Sequence, residues 1–143
     1  MERYEYLYEL NSDELVKLIE DMLDFEEVAE AFNILESRNP NKALEKGKQI
    51  IEFDRGDEYL QATIWDIMFY ENRKEMIDAV DRRKNTIGKT LLDDIIIDLT
   101  NYKTNVHIKF LKKIENAYMS VKFGETEDMR CDYSKFVDMY LNV

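Results

Sequence analysis

A chain of 143 residues with 45% hydrophobic and 12% aromatic content can bury a sizeable core in one domain and is too apolar for a disordered acidic tail. Its net charge of −11 repels nucleic acid and anionic lipid and favours basic partners, while four glycines and one proline leave little room for a turn-rich β-sandwich or barrel. The lone cysteine, Cys131, has no internal disulfide partner, no apolar run reaches the roughly 18 residues of a membrane span, and "MERYEYLYEL" lacks a secretory-leader pattern, so the expected compartment is a reducing cytoplasm.

In chain order, a short aromatic lead (Tyr4, Tyr6, Tyr8) precedes a first helix, which Asn11 or Ser12 can cap. Leu15, Leu18, Ile19 and Met22 recur there at helical spacing. Asp24 followed by Glu27 reads as a capping box for a second helix, with Val28, Phe32 and Leu35 inward and an end near Arg38. Asn39-Pro40 starts a third helix, which is expected to stop at Gly56. Asp57 caps a fourth, through about Tyr70. Asn72 opens a fifth, with Met76, Ile77 and Val80 inward. The basic "DRRKN" and Gly88 form a break.

The sixth segment, "KTLLDDIIIDLTNY", has a strand-like Ile95–Ile97 run, but Leu92, Ile95, Ile96 and Leu99 also share a helix face, so a helix is expected. Thr104 caps a long seventh helix with a stripe of His107, Leu111, Ile114, Tyr118 and Val121, ending at Gly124. A last helix holds Tyr133, Phe136, Val137, Tyr140 and Leu141. No linker divides the chain, so residues 1–143 read as one all-α domain of about eight helices.

Eight helices with short connections suit either a compact bundle or a short stack of helix pairs. The third has one apolar face and a mid-helix glycine, Gly47, where a neighbour can approach closely. The fourth, "GDEYLQATIWDIMFY", is apolar on nearly every side apart from Gln61 and Asp66. Such a helix needs neighbours all round. An amphipathic helix followed by an inner apolar one is the pattern of a helical repeat, and the stack is the favoured architecture.

Chemistry is harder to find. Asp93, Asp94 and Asp98 are the best carboxylate group but have no companion histidine or calcium-loop pattern, and they read as a solvated face. His107, the only histidine, is expected in the core of the seventh helix. One histidine and one remote cysteine make no nucleophile pair, and no phosphate-binding glycine loop exists. No enzyme, cofactor or metal site is read.

The segment "NPNKALEKGKQIIEFDRGDEYLQATIWDIMF", with "ALEKGKQII" on its first helix and "GDEYLQATIWDIMF" on its second, resembles a HEAT-type pair. With the preceding "SDELVKLIEDMLDFEEVAEAFNILESRNP" it is similar to small bacterial immunity proteins of polymorphic and contact-dependent toxin systems, over residues 12–72. The resemblance implies a cytoplasmic, non-catalytic protein that binds and blocks one cognate toxin, many such toxins being nucleases. It carries no site residues with it.

Charge suggests where a basic toxin would bind. Residues 1–70 hold 18 acids and 7 bases, and residues 71–143 hold 13 of each. Candidate contacts are Glu20, Asp21, Asp24, Glu26, Glu27, Asp57, Glu58 and Asp66. Trp65 and Phe69 either join Asp66 on a concave binding surface as an aromatic anchor, or pack against the fifth and sixth helices. The rival reading is a helical adaptor or regulatory module.

Overall fold

The computed structural model describes residues 3–142; Met1, Glu2 and Val143, which the single-domain reading includes, lie outside it. A 3-10 turn over Glu5–Glu9 leads into α1 (Ser12–Asp21), α2 (Phe25–Arg38), α3 (Pro40–Glu52), α4 (Glu58–Phe69), α5 (Arg73–Arg82), α6 (Lys89–Asn101), α7 (Ile108–Val121) and α8 (Glu127–Phe136). A 3-10 turn, Lys122–Gly124, follows α7, and a π-helical turn, Val137–Leu141, extends α8. No strand occurs among the described residues, and Ile95–Ile97 lies inside α6. None of these helices is long and apolar enough to cross a membrane.

Local chemistry sets most helix starts. Asn11 accepts from the Glu14 backbone N–H at 2.8 Å, and the Glu14 carboxylate accepts from the Asn11 N–H at 3.0 Å, closing a capping box. Asp24 caps α2 by accepting from both Glu26 and Glu27, but the return bond expected from Glu27 is not made. Asn39 caps α3 ahead of Pro40, and Asp57 caps α4 through Leu60 at 2.8 Å. Each such cap contributes about 1 kcal/mol.

Three expectations fail at helix ends. α3 stops at Glu52, and the left-handed residue that turns the chain is Asp54 (φ 54°); Gly56 (φ 74°) belongs to the next loop. Asn72 makes no cap on α5, because its side chain donates back to the Met68 carbonyl of α4. Thr104 does not cap α7 either. Its hydroxyl donates to the Tyr102 carbonyl, and His107 occupies the cap position. His107 is therefore exposed rather than in the core, 3.5 Å from the Asp81 carboxylate, and the buried face of α7 is Phe110, Leu111, Ile114 and Tyr118. Spacing alone put His107 in register with that stripe, but it precedes the first helical residue.

The helices form two layers. α2, α4, α6 and α8 lie side by side, while α1 packs on α2, α3 on α5, and α7 on α5 and α6. Contacts between neighbours match N-terminal end to N-terminal end: Glu58 meets Thr90, and Trp65 meets Asp98. α4 and α6 are therefore parallel, and α2 and α8 follow the same sense, since Glu26 and Tyr59 flank one groove near the starts of α2 and α4 and Asp93 faces Asp128 near the starts of α6 and α8. The even-numbered helices make the inner layer, with the odd-numbered ones behind; in chain order the helices fall into four successive pairs, α1–α2 to α7–α8. α4 touches α2, α3, α5 and α6, which explains its apolar circumference. Leu60, Ile64, Trp65, Met68 and Phe69 are all buried there. Each contributes on the order of 1.5–3 kcal/mol by leaving water. Gly47 lets α3 approach this layer: a Cβ there would stand 3.1 Å from Phe32 Cζ and 3.3 Å from Ile64 Cγ2.

The joint between the second and third pairs is polar. Arg83, 3% exposed, ends α5 and turns inward. Nη1 donates to the Ile51 carbonyl and to Gln61 Oε1, both at 2.9 Å. Nη2 donates to Asp54 Oδ1 at 2.9 Å and the Thr86 carbonyl at 2.8 Å, and Nε to the Asn85 carbonyl at 3.2 Å. All five guanidinium N–H groups thus find acceptors. Gln61, the first polar exception on α4, is buried in this network and also donates to Asp54 and to the Arg55 carbonyl. Desolvation alone would raise the Asp54 pKa; hydrogen bonds from Gln61 and Asn85 and the Arg83 charge outweigh it and hold the carboxyl below its ordinary value. Arg83 is thus a buried anchor, although it lies in the run "DRRKN" that the sequence marks only as a break between helices.

Candidate functional site

The exposed side of the inner layer repeats one spacing. On α2 it presents Glu26, Glu30, Asn33 and Ser37; on α4, Tyr59, Thr63, Asp66 and Tyr70; on α6, the half-buried Thr90, Asp94 and Ile97 and the exposed Asn101. Each set follows i, i+4, i+7, i+11, the outward stripe of a helix buried on its remaining sides. These positions include four acids and no lysine or arginine. Tyr59 is 68% exposed and Tyr70 55%.

Between α2 and α4 the face dips into a groove of about 300 Å³ lined by Phe25, Glu26, Ala29, Asp57, Tyr59, Leu60 and Thr63. Between α4 and α6, Asp66 meets Asp94 and Asp98. Trp65 Nε1 donates to Asp98 Oδ2 at 2.8 Å from beneath. At the far edge the Tyr70 and Tyr102 rings lie 4.5 Å apart, and the Arg73 guanidinium sits 5.3 Å over Tyr102. On the other flank of α6, Asp93 faces Asp128 and Asp132 of α8, and its buried Oδ1 has no hydrogen-bond partner.

The outer edge of Asp66 is open to solvent, but its carboxyl is crowded. Desolvation, then hydrogen bonding to and repulsion from Asp94 and Asp98, push its pKa up to about 8. Asp94 and Asp98 are also raised, chiefly by desolvation, with the hydrogen bond to Asp66 acting in the opposite sense. The three carboxyls therefore keep a proton above the usual aspartate range. The folded state binds that proton more tightly than the unfolded chain, in which an aspartate titrates near ~3.9. Stability conferred by the proton is full at acid pH and is lost as pH rises through about 8. Wild-type protein is expected to melt lower as pH increases from 5.5 to 8.5. Asp66→Asn should flatten this trend and melt above wild type at the alkaline end. Parallel melting profiles for the two proteins would contradict the arrangement.

The sequence-derived candidates do not form one patch. Trp65 and Phe69 are 0% and 1% exposed and stack on each other at 4.8 Å, so the surface anchor expected of them is corrected to a core pair. Asp66 alone of that group reaches the surface. Glu26 and Asp57 share the α2–α4 groove, Asp57 also capping α4. Asp24 is a helix cap. Glu58 is half-buried and turned to the neighbouring helix, where its carboxylate accepts from the backbone N–H and hydroxyl of Thr90 and so caps α6 from outside. Asp21 and Glu27 border a separate groove with Leu10, Leu18 and Leu23, and Glu20 pairs with Lys46 at 3.4 Å.

Sequence reasoning missed Phe25, Tyr59 and Tyr70 as surface aromatics. The repeated spacing from residue 59 to 70 was the signal that could have found the two tyrosines; Phe25 lies outside the 26-to-37 stripe and had no such signal. Among the described residues, no group of three or more His, Cys, Asp or Glu is arranged to hold a metal ion, and Cys131 is a free, exposed thiol. Comparison of the chain with family models, with curated proteins and with solved structures finds no match.

Proposed function

We propose that this chain is a binding protein that neutralises a cognate bacterial toxin by forming a stoichiometric complex, in the manner of an immunity protein. The observation that carries the reading is the inner-layer face: a parallel set of helices presents acids and exposed tyrosines without an intervening base along its stripes. Rigid helices that display aromatic rings at low entropic cost suit tight protein binding. The resemblance of residues 12–72 to immunity proteins directs the choice of partner. The acidic surface, with a net charge of −11, would accelerate encounter with a basic toxin, and the complex would cover or distort the toxin's active site. A helical adaptor with a basic partner other than a toxin is the alternative.

Co-expression with the product of the gene immediately upstream decides between them. A 1:1 complex that abolishes that product's toxicity is expected. Its association rate should fall at least about tenfold between low and high salt, with dissociation changing less. A toxic product that neither co-purifies nor is neutralised would remove the immunity reading. Salt-insensitive association would remove the charge steering.

A further inference from the structure

We infer that the α2–α4 groove of the inner face is the docking point for a cationic helical segment of a partner protein, with a lysine or arginine side chain entering the groove against Phe25, Tyr59, Glu26 and Asp57. This rests on the reading of the chain as a binding protein, and names the chemistry of what that protein binds.

The argument begins with the groove's walls. Phe25 and Tyr59 line it and are 38% and 68% exposed. Ring faces beside carboxylates are the setting in which a guanidinium or ammonium gains from both cation–π attraction and ion pairing. Glu26 and Asp57 supply the carboxylates at the same groove.

The chain itself supplies a stand-in. Arg3 places its guanidinium 3.4 Å from Glu26 and 3.9 Å from Asp24 at the groove's margin. Its side chain is 70% exposed, so the pair is a weak surface contact that an incoming cation can replace. The Tyr4 hydroxyl also donates to Glu26, at 3.1 Å, which aims that carboxylate.

The rest of the face fits a segment rather than a single residue. From Tyr59 to Tyr70 the α4 stripe rises about 16 Å, the length of a three-turn helix. Beyond the groove, the next polar feature along it is Asp66 with Asp94 and Asp98, where a second cation would relieve like-charge crowding. Two copies of this chain, each at −11, repel one another, and a polyanion is repelled more strongly. The occupant is therefore a basic segment of a different protein.

The test uses the full chain and an 18-residue amphipathic peptide of leucine and lysine, with its leucine–glutamate counterpart as control. Binding is followed by calorimetry and by backbone amide shifts. The lysine peptide should bind and shift Phe25, Glu26, Tyr59, Thr63 and Asp66, and the glutamate peptide should not bind. Tyr59→Ala, which keeps every charge, should weaken binding at least tenfold without changing the melting temperature. Thr63→Lys should do the same by repulsion. Glu26→Gln with Asp57→Asn, which retains a helix cap, should weaken it more than Asp13→Asn with Asp21→Asn on α1. If Tyr59→Ala binds as wild type, or the α1 pair loses as much as the groove pair, the attraction is diffuse charge and the inference is overturned. Against the upstream gene's product, a complex indifferent to Tyr59→Ala and Thr63→Lys overturns the groove but leaves the toxin reading standing. A peptide that seats in the groove, with no complex formed by that product, does the reverse.

Discussion

Arg83→Ala is expected to remove about 3–5 kcal/mol of stability, because it leaves the buried Gln61 Oε1 and Ile51 carbonyl without their donor, at about 1–3 kcal/mol each, and empties the space the guanidinium filled. The variant leaves Asp54 without its cation and strips donors from Gln61 and from the carbonyls of Ile51, Asn85 and Thr86. In a domain of this size that loss lowers the melting temperature by roughly 10 °C or more. The neighbouring Arg82 supplies the comparison. It is half-exposed and pairs with Glu52 at 3.2 Å on the surface, so Arg82→Ala should stay within about 0.5 kcal/mol of wild type. Urea unfolding of the two variants measures both. Equal midpoints would mean that the inward guanidinium does not hold the joint between the second and third helix pairs.

The second large effect lies on α4. Trp65→Ala should cost about 3–5 kcal/mol, because the indole is fully buried and the helices around it can close the space only in part. Trp65→Phe separates volume from hydrogen bonding. It keeps a ring to stack on Phe69 but leaves Asp98 Oδ2 without the indole donor, and should cost about 1–3 kcal/mol. The same variants give a second reading of the partner surface. Since Trp65 does not reach solvent, any loss of partner binding should track the loss of folded protein. A well-folded Trp65→Ala variant with weakened binding would place the indole back at the interface.

Much of this fold could be read in the chain because local chemistry and packing agreed. Asn11, Asp24, Asn39 and Asp57 cap the helices they were expected to cap, since each is followed by a helical run of apolar residues. The central place of α4 followed from its apolar circumference. The inward turn of Arg83 went unread because it sits in a charged run, taken only as a break between helices. Its position relative to Met76 and Val80 continues the buried face of α5, and that spacing was visible. His107 was misread for the opposite reason: its spacing fitted, but the helix had not yet begun. The candidate site was legible only in fragments. Asp66 stood out as a polar interruption, but its meeting with Asp94 and Asp98 depends on how α4 and α6 align, which no local pattern encodes. Trp65 and Phe69 share a helix with Asp66, yet they are buried while Asp66, although it touches α6, keeps an edge in solvent.

The links between the second and third pairs bear on how the molecule opens. In a stack, stability is close to a sum over neighbouring units, and unfolding can begin at either end. Here Arg83 and Glu58 tie the second pair to the third at two separate points, one at the α5–α6 loop and one at the start of α6. Backbone amides of α4 and α6 should therefore exchange with solvent only when the whole molecule opens, while those of α1 and α8 exchange through cheaper, end-first fraying. The acidic and aromatic stripes of α4 and α6 would then stay in register even as the ends breathe, so the molecule could lose its terminal helices transiently without losing the surface they flank.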